Sequence, residues 1–297
     1  MLFGGMRMFT FLTFLAGAIG AVTVLQCGQL AAFYGSYSSS VVTHVVGLLA
    51  VMLLYASQRR RLPERRHAAP WMFLGGVIGA GTVVLNNMAF GGVGVTAIVG
   101  LGLLGQSITS LFMDQFGLLG AAKVPFSARK LPGLAAVLAG ALTMVLPLSG
   151  ANLAAVLMAL ATGLTIVTAR TVNARLADRQ GAIRATVMNY VTGLTTSCVM
   201  LLLLGRGEPM LQGFRLSGNW FMYLAGALGV VLTVILNVTV SRVSAFALTL
   251  LQFTGQIFTG LLLDALLAGC FSVQSAVGGL LVAVGLGLNT WLDSRRK

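Results

Sequence analysis

The sequence predicts an all-α polytopic membrane protein, with ten transmembrane helices arranged as two inverted five-helix repeats. Three observations carry that expectation. First, 57% of the 297 residues are hydrophobic, only 8% are charged, and mean hydropathy is +0.94. A soluble domain is about 25% charged, whereas here apolar runs of about 20 residues recur along the whole chain, the length that spans a bilayer. Second, the stretch Gly105-Gln106-Ser107-Ile108-Thr109-Ser110-Leu111-Phe112-Met113-Asp114 returns as Gly255-Gln256-Ile257-Phe258-Thr259-Gly260-Leu261-Leu262-Leu263-Asp264, 150 residues later. Third, the basic residues fall almost entirely into alternate loops.

Taken in order, helix 1 is expected over 9–31, a retained first span, because Arg7 precedes an apolar run with no convincing cleavage site. The polar tip 35–40, Gly-Ser-Tyr-Ser-Ser-Ser, leads to helix 2 over 39–57, which stops at the densest charge run, 59–66. Helix 3 spans 71–90. The turn 91–94, rich in glycine, opens helix 4 over 94–113. Lys123, Arg129 and Lys130 precede helix 5 over 131–148, and Pro147 with Gly150 marks a short connection. Helices 6 to 10 follow over 152–173, 184–204, 219–239, 243–263 and 273–292. With the N-terminus in the cytoplasm, all of the 19 basic residues except Arg206 and Arg215 lie inside, which fixes both termini there. Trp71, Trp220 and Trp291 fall at helix ends, as interface anchors do. The net charge of +13 therefore reflects topology rather than a nucleic-acid partner.

The repeat reaches beyond its opening motif, and the chain divides at 1–150 and 151–297. At an offset of 150, Gly76, Gly79 and Asn87 match Gly226, Gly229 and Asn237. At an offset of 146, Gly35, Val41 and Gly47 match Gly181, Val187 and Gly193. The change of offset places a small length difference between the second and third helices of each half. Five helices per half force the second copy to insert upside down. Inverted repeats of this kind place a solute site near the bilayer midplane, with rocking of the halves giving alternating access.

Trp71…Leu74-Gly75-Gly76-Val77-Ile78-Gly79, followed by Gly105-Gln106…Asp114-Gln115-Phe116-Gly117, resembles the YdcZ-type, EamA-like branch of the drug/metabolite transporter superfamily over nearly the whole chain. The resemblance implies a ten-helix inverted-repeat bundle in a bacterial inner membrane that moves a small solute. Small multidrug exporters, distant relatives by fold, bind cations and protons through a membrane-embedded glutamate. Helix 1 here has no carboxylate, which counts against that chemistry.

Several polar residues are candidates for the site. Gln106 and Gln256 carry primary amides inside apolar helices, so each faces protein or water and either binds solute or joins helices. Asn87 and Asn237, at the ends of helices 3 and 8, either cap their helices or contact solute. Asp114 and Asp264 end helices 4 and 9 against the helix dipole. They form a gate or proton site, or simply stop the helices at the interface. His44, about four residues inside helix 2, is a coupling candidate against a plain interfacial role. Arg170, with Asn173 and Arg175, closes helix 6. It either lines a vestibule as a gating group or snorkels to the interface.

No ATP-binding motif is present, and the three cysteines have neither metal nor disulfide spacing, so no cofactor is expected. The expected partners are a small-molecule substrate and the lipid bilayer, with homodimerisation left open. A secondary-active or facilitative transporter of a small polar metabolite is the leading reading. A non-transporting membrane subunit, or a membrane enzyme acting on a lipid-like substrate, is the alternative. The enzyme lacks a nucleophile–base pair or an acidic cluster to support it.

Overall fold

The computed structural model describes residues 2–59, 62–64, 66–90, 95–120, 123, 127–128, 131–145, 153–263 and 273–294. These residues form ten helices of 15 residues or more, and no strand occurs among them. The first five are α1 (Leu2–Tyr34), α2 (Ser36–Gln58), α3 (Gly75–Phe90), α4 (Val95–Phe116) and α5 (Leu131–Val145). The second five are α6 (Leu153–Gln180), α7 (Ala182–Leu204), α8 (Ala225–Thr239), α9 (Ala245–Leu263) and α10 (Val273–Ser294). Among the described residues six spans are long and apolar enough to cross a membrane: Met8–Tyr34, Ser36–Gln58, Pro70–Phe90, Leu153–Gln180, Ala182–Leu204 and Trp220–Thr239. Leu131–Thr143 is a shorter apolar helix. Short 3-10 turns, Pro70–Leu74 and Trp220–Leu224, lead into α3 and α8.

Two helix boundaries differ from expectation, for one reason. The α1–α2 and α6–α7 corners are each a single glycine, Gly35 at φ 101° and Gly181 at φ 87°. Both values lie in the region that side chains disfavour. Each glycine N–H also closes the preceding helix, Gly35 on the Ala31 carbonyl at 2.9 Å and Gly181 on the Ala177 carbonyl at 2.8 Å. One residue suffices to reverse the chain, so the serines expected in a polar tip are helical, and Ser38, Ser39 and Ser40 are buried. Ser38 O–H donates to Glu208, Ser39 O–H to the Cys27 carbonyl, and Ser40 shares a hydrogen bond with Ser197. On the same logic α6 runs to Gln180 instead of closing near 173. Both shifts push polar residues deeper than the sequence suggested.

The sequence halves do not form separate bodies. The most extensive helix contacts all join one half to the other: α5 with α10, α1 with α9, α4 with α6, α3 with α6 and α2 with α7. The helices sort into two mixed four-helix groups: α1, α2, α8 and α9 form one, and α3, α4, α6 and α7 form the other. These groups meet along α2–α7 and α4–α9, and α5 with α10 makes a further pair.

Glycine faces permit that exchange, and each contact occurs twice. A side chain at Gly76 would collide with the Asn189 carbonyl of α7, and one at Gly226 with the Thr43 carbonyl of α2. Gly47 lies under the Tyr190 ring, and Gly193 under the His44 ring. Gly105 faces the Leu160 carbonyl of α6, as Gly255 faces that of Phe14 in α1. In hydrocarbon, helices gain no hydrophobic drive from water, so such close backbone approach supplies the packing energy. Between these seams lie small apolar clusters, such as Leu103, Val137, Leu250, Phe253 and Val282, which tie α4, α5, α9 and α10 together.

Candidate functional site

A cavity of about 240 Å³ lies between the two mixed groups. The first group contributes Thr23, Cys27, His44, Asn237, Gln252 and Gln256 among its lining residues. The second contributes Thr82, Asn87, Arg170, Asn173, Asn189 and Tyr190. Among the described residues lining the cavity there is no carboxylate.

Asn87 and Asn237 occupy corresponding positions in the two sequence repeats, and each bonds to the start of a neighbouring helix. The Asn87 amide donates to the Ser36 carbonyl at 3.0 Å, at the start of α2. The Asn237 amide donates to Thr186 Oγ1 at 3.0 Å and to the Ala182 carbonyl at 3.4 Å, at the start of α7. Neither caps its own helix; each ties down the first turn of a neighbour while its side chain borders the cavity. Gln256 also lines the cavity and is half-buried. Gln106 is buried and does not belong to the lining; its Oε1 accepts a hydrogen bond from Arg170 Nη1 at 3.5 Å.

Arg170 is the organising residue. It lies ten residues before the end of α6 at Gln180, and its side chain is packed inside the protein at only 5% exposure. Its Nη2 donates to Ser110 Oγ at 3.2 Å, to the Ala245 carbonyl at 3.1 Å, and to Thr249 Oγ1. Its Nη1 reaches Gln252 Oε1 at 3.4 Å as well as Gln106. A guanidinium offers five N–H donors in a rigid fork, so one side chain can bridge α6, α4 and α9 at once. Asp114 completes the cluster: it is buried, accepts the Ala245 N–H at 3.0 Å, and lies close enough to act on the Arg170 charge. A carboxylate at the N-terminus of α9 is favourably placed with respect to that helix's dipole. The dipole conflict expected for Asp114 at the end of its own helix is thereby offset by a second helix.

His44 sits nine residues into α2, deeper than expected, and is 4% exposed. Its Nδ1 is 2.8 Å from the Ser40 carbonyl and 3.2 Å from Ser197 Oγ, so the ring joins α2 to α7. The Tyr190 ring lies 5.7 Å away. Asp264 lies outside the described residues.

The structure thus brings Gln106, Asp114 and Arg170 into one cluster and places Asn87, Asn237, Gln256 and His44 around the cavity. Sequence reasoning missed Gln252, Thr249, Ser110 and Asn189. Gln252 was accessible in principle, because it precedes Gln256 by one helical turn and shares its face. Asn189 was not: its amide oxygen accepts from Asn173 Nδ2 at 2.8 Å, a pairing between α6 and α7 that no spacing announces.

Comparison with known proteins gives two findings. A family model described as "Putative inner membrane exporter, YdcZ", of the drug/metabolite transporter class, matches the chain twice, over residues 8–143 and 154–291. Among solved structures, a chain titled "Crystal structure of protein" shares the fold with a TM-score of 0.70 at 16% identity, covering 98% of each chain. No curated protein matches the chain.

Proposed function

The chain belongs to the YdcZ family of multi-pass inner membrane transporters, and from that premise we propose that it carries a small polar metabolite across the membrane by alternating access. The observation that supports this most directly is the cavity between the mixed groups, bordered by the equivalent amides Asn87 and Asn237. A partly open space of about 240 Å³, largely apolar with a few polar side chains on its lining, suits a solute of metabolite size.

In this reading all ten helices cross the membrane, both termini are cytoplasmic, and residues 1–150 and 151–297 are inverted copies. The twofold recurrence of the glycine contacts supports the inversion. The moving bodies are the two mixed groups rather than the sequence halves, because the halves interlock too extensively to rock apart. One gate is the clasp of Arg170 and Asp114 across α4, α6 and α9, at the cytoplasmic end in this topology. The other is the α2–α7 seam, where His44, Ser40 and Ser197 meet. Asn87, Asn237 and Gln256 bind solute directly, while Gln106 acts through Arg170. We read the protein as a carrier rather than an enzyme. A homodimer is not required to line the cavity, whose lining residues all come from one chain.

The test is flux into liposomes containing the purified protein, guided by a thermal-shift screen of amino acids, amines, sugars, nucleosides and organic acids. A ligand that binds only the folded state raises stability by about 2.7 kcal/mol at a hundredfold excess over Kd. Flux of one solute class, lost when α2 and α7 are cross-linked, is the expected result. Solute binding without flux under any gradient would favour a non-transporting subunit.

A further inference from the structure

We propose that the solute is an organic anion whose carboxylate is received by Nη1 of Arg170, flanked by Gln252 and Gln256. This assignment rests on the transport reading and names its substrate class.

The two guanidinium nitrogens of Arg170 are held very differently. Nη2 has three partners, two on α9 and one on α4, which fix the plane of the fork. Nη1 has only the amide oxygens of Gln106 and Gln252, at 3.5 and 3.4 Å. Those lengths lie beyond the usual 2.7–3.2 Å of an N–H···O bond and well beyond the roughly 2.7–2.9 Å of a charge-assisted one. One nitrogen is anchored and the other is weakly engaged, and both Arg170 and Gln252 line the cavity. Among the described lining residues Arg170 is the one permanently charged side chain. Asp114, which neighbours Arg170, is not a lining residue, so of the two charged groups it is the cation that borders the cavity.

A carboxylate entering this end would replace two long contacts to neutral amides with one short ionic bond. The freed Gln252 side chain, with Gln256 one turn further along α9, could then turn an N–H toward the second carboxylate oxygen. An amine would find the opposite: no described lining carboxylate, and a guanidinium that repels it. Because Arg170 stands on one mixed group and both glutamines on the other, the anion would bridge the two bodies that move.

The experiment uses the full chain in nanodiscs at fixed ionic strength, with acid and amide pairs of near-identical shape: succinate and succinamide, benzoate and benzamide, alanine and alaninamide. Thermal shift and direct binding are read for each pair, on the wild type and on Arg170→Gln and Arg170→Lys. The expected result is that the acid of at least one pair binds and its amide does not. Arg170→Gln should then weaken that acid about ten- to hundredfold, the size of one charge-assisted hydrogen bond, with partial recovery in Arg170→Lys. The pairs need no variant, so the comparison stands even if Arg170→Gln fails to fold. Amides that bind as well as acids, or acid binding unchanged in Arg170→Gln, overturn the assignment and leave transport intact. So does binding of neutral sugars or nucleosides alone. No binding and no liposome flux by any solute overturns both.

Discussion

Glu208 gives the most direct test of how the loops hold the helices. It lies between α7 and α8, yet its carboxylate accepts the backbone N–H groups of Tyr37 at 2.9 Å and Ser38 at 2.8 Å, and the Ser38 hydroxyl at 2.6 Å. The corner residue Gly35 has no side chain to cap α2, so a second-half acid supplies the cap for a first-half helix. Removing an N-cap oxygen costs about 0.5–2 kcal/mol, and loss of the charge at the helix N-terminus adds about 0.3–1 kcal/mol. Glu208 is half-exposed, so solvent screening places the total for Glu208→Ala at about 1–2 kcal/mol. At roughly 2–4 °C per kcal/mol, the expected fall in Tm is about 2–8 °C. Glu208→Gln, which keeps an acceptor but loses the charge, should fall by about half as much. Differential scanning fluorimetry in detergent measures both, with Glu64→Ala, an exposed acid in the α2–α3 loop, as the control. A Tm for Glu208→Ala indistinguishable from that of the control would refute the capping argument.

Three further tests address packing and the site. Gly76→Ala should destabilise by about 1–3 kcal/mol, because the methyl meets the Asn189 backbone. Gly79→Ala, whose methyl would stand 3.8 Å from the Asn189 amide oxygen, should be close to neutral by the same melting assay. Asn87→Leu and Asn237→Leu should each lower stability by about 0.6–1.7 kcal/mol, the range for hydrogen bonds between membrane helices. Asn237→Leu, which loses two bonds to the one lost by Asn87→Leu, should be at least as costly, and a loss at Asn87 alone would contradict the correspondence. Gln106→Leu removes a partner of Arg170 and should lower Tm, whereas Gln256→Leu should leave Tm within about 0.5 kcal/mol of wild type while reducing liposome flux; the reverse pattern would exchange their roles.

The duplication, the helices and the glycine faces were legible because they are carried by periodic apolar runs and by residues that recur at a fixed offset. Their partners were not. Gly76 announces a close approach, but nothing in its spacing says that the approaching backbone is Asn189 in the other half rather than a neighbour in its own. The two corners misled for a physical reason: a run of serines after a glycine reads as a turn, yet one glycine at positive φ completes the reversal and the hydroxyls find partners inside. The same one-residue corner carried α6 past its expected end, and with it Arg170 from the interface to the interior. Asn87 and Asn237 pair at a fixed offset in the sequence, while the bonds they make to the starts of α2 and α7 depend on tertiary placement that spacing does not encode.

The exchange of packing between halves has a bearing on how the chain is made. In the proposed ten-span topology helices enter the bilayer in the order of synthesis, so α1 to α5 would be inserted before any of their principal partners exist. During that interval the Gly75–Gly76 edge of α3 and the Gly105 edge of α4 face lipid or an insertion factor, with backbone surfaces that acyl chains fill poorly. Assembly therefore waits on α6 and α7, which cover both edges, and finishes when α9 and α10 reach α1 and α5. A ribosome that stalls midway would leave a nascent half with its seams open, a natural substrate for membrane quality control. Conversely, two half-length polypeptides made in the same cell would each hold the surfaces the other lacks.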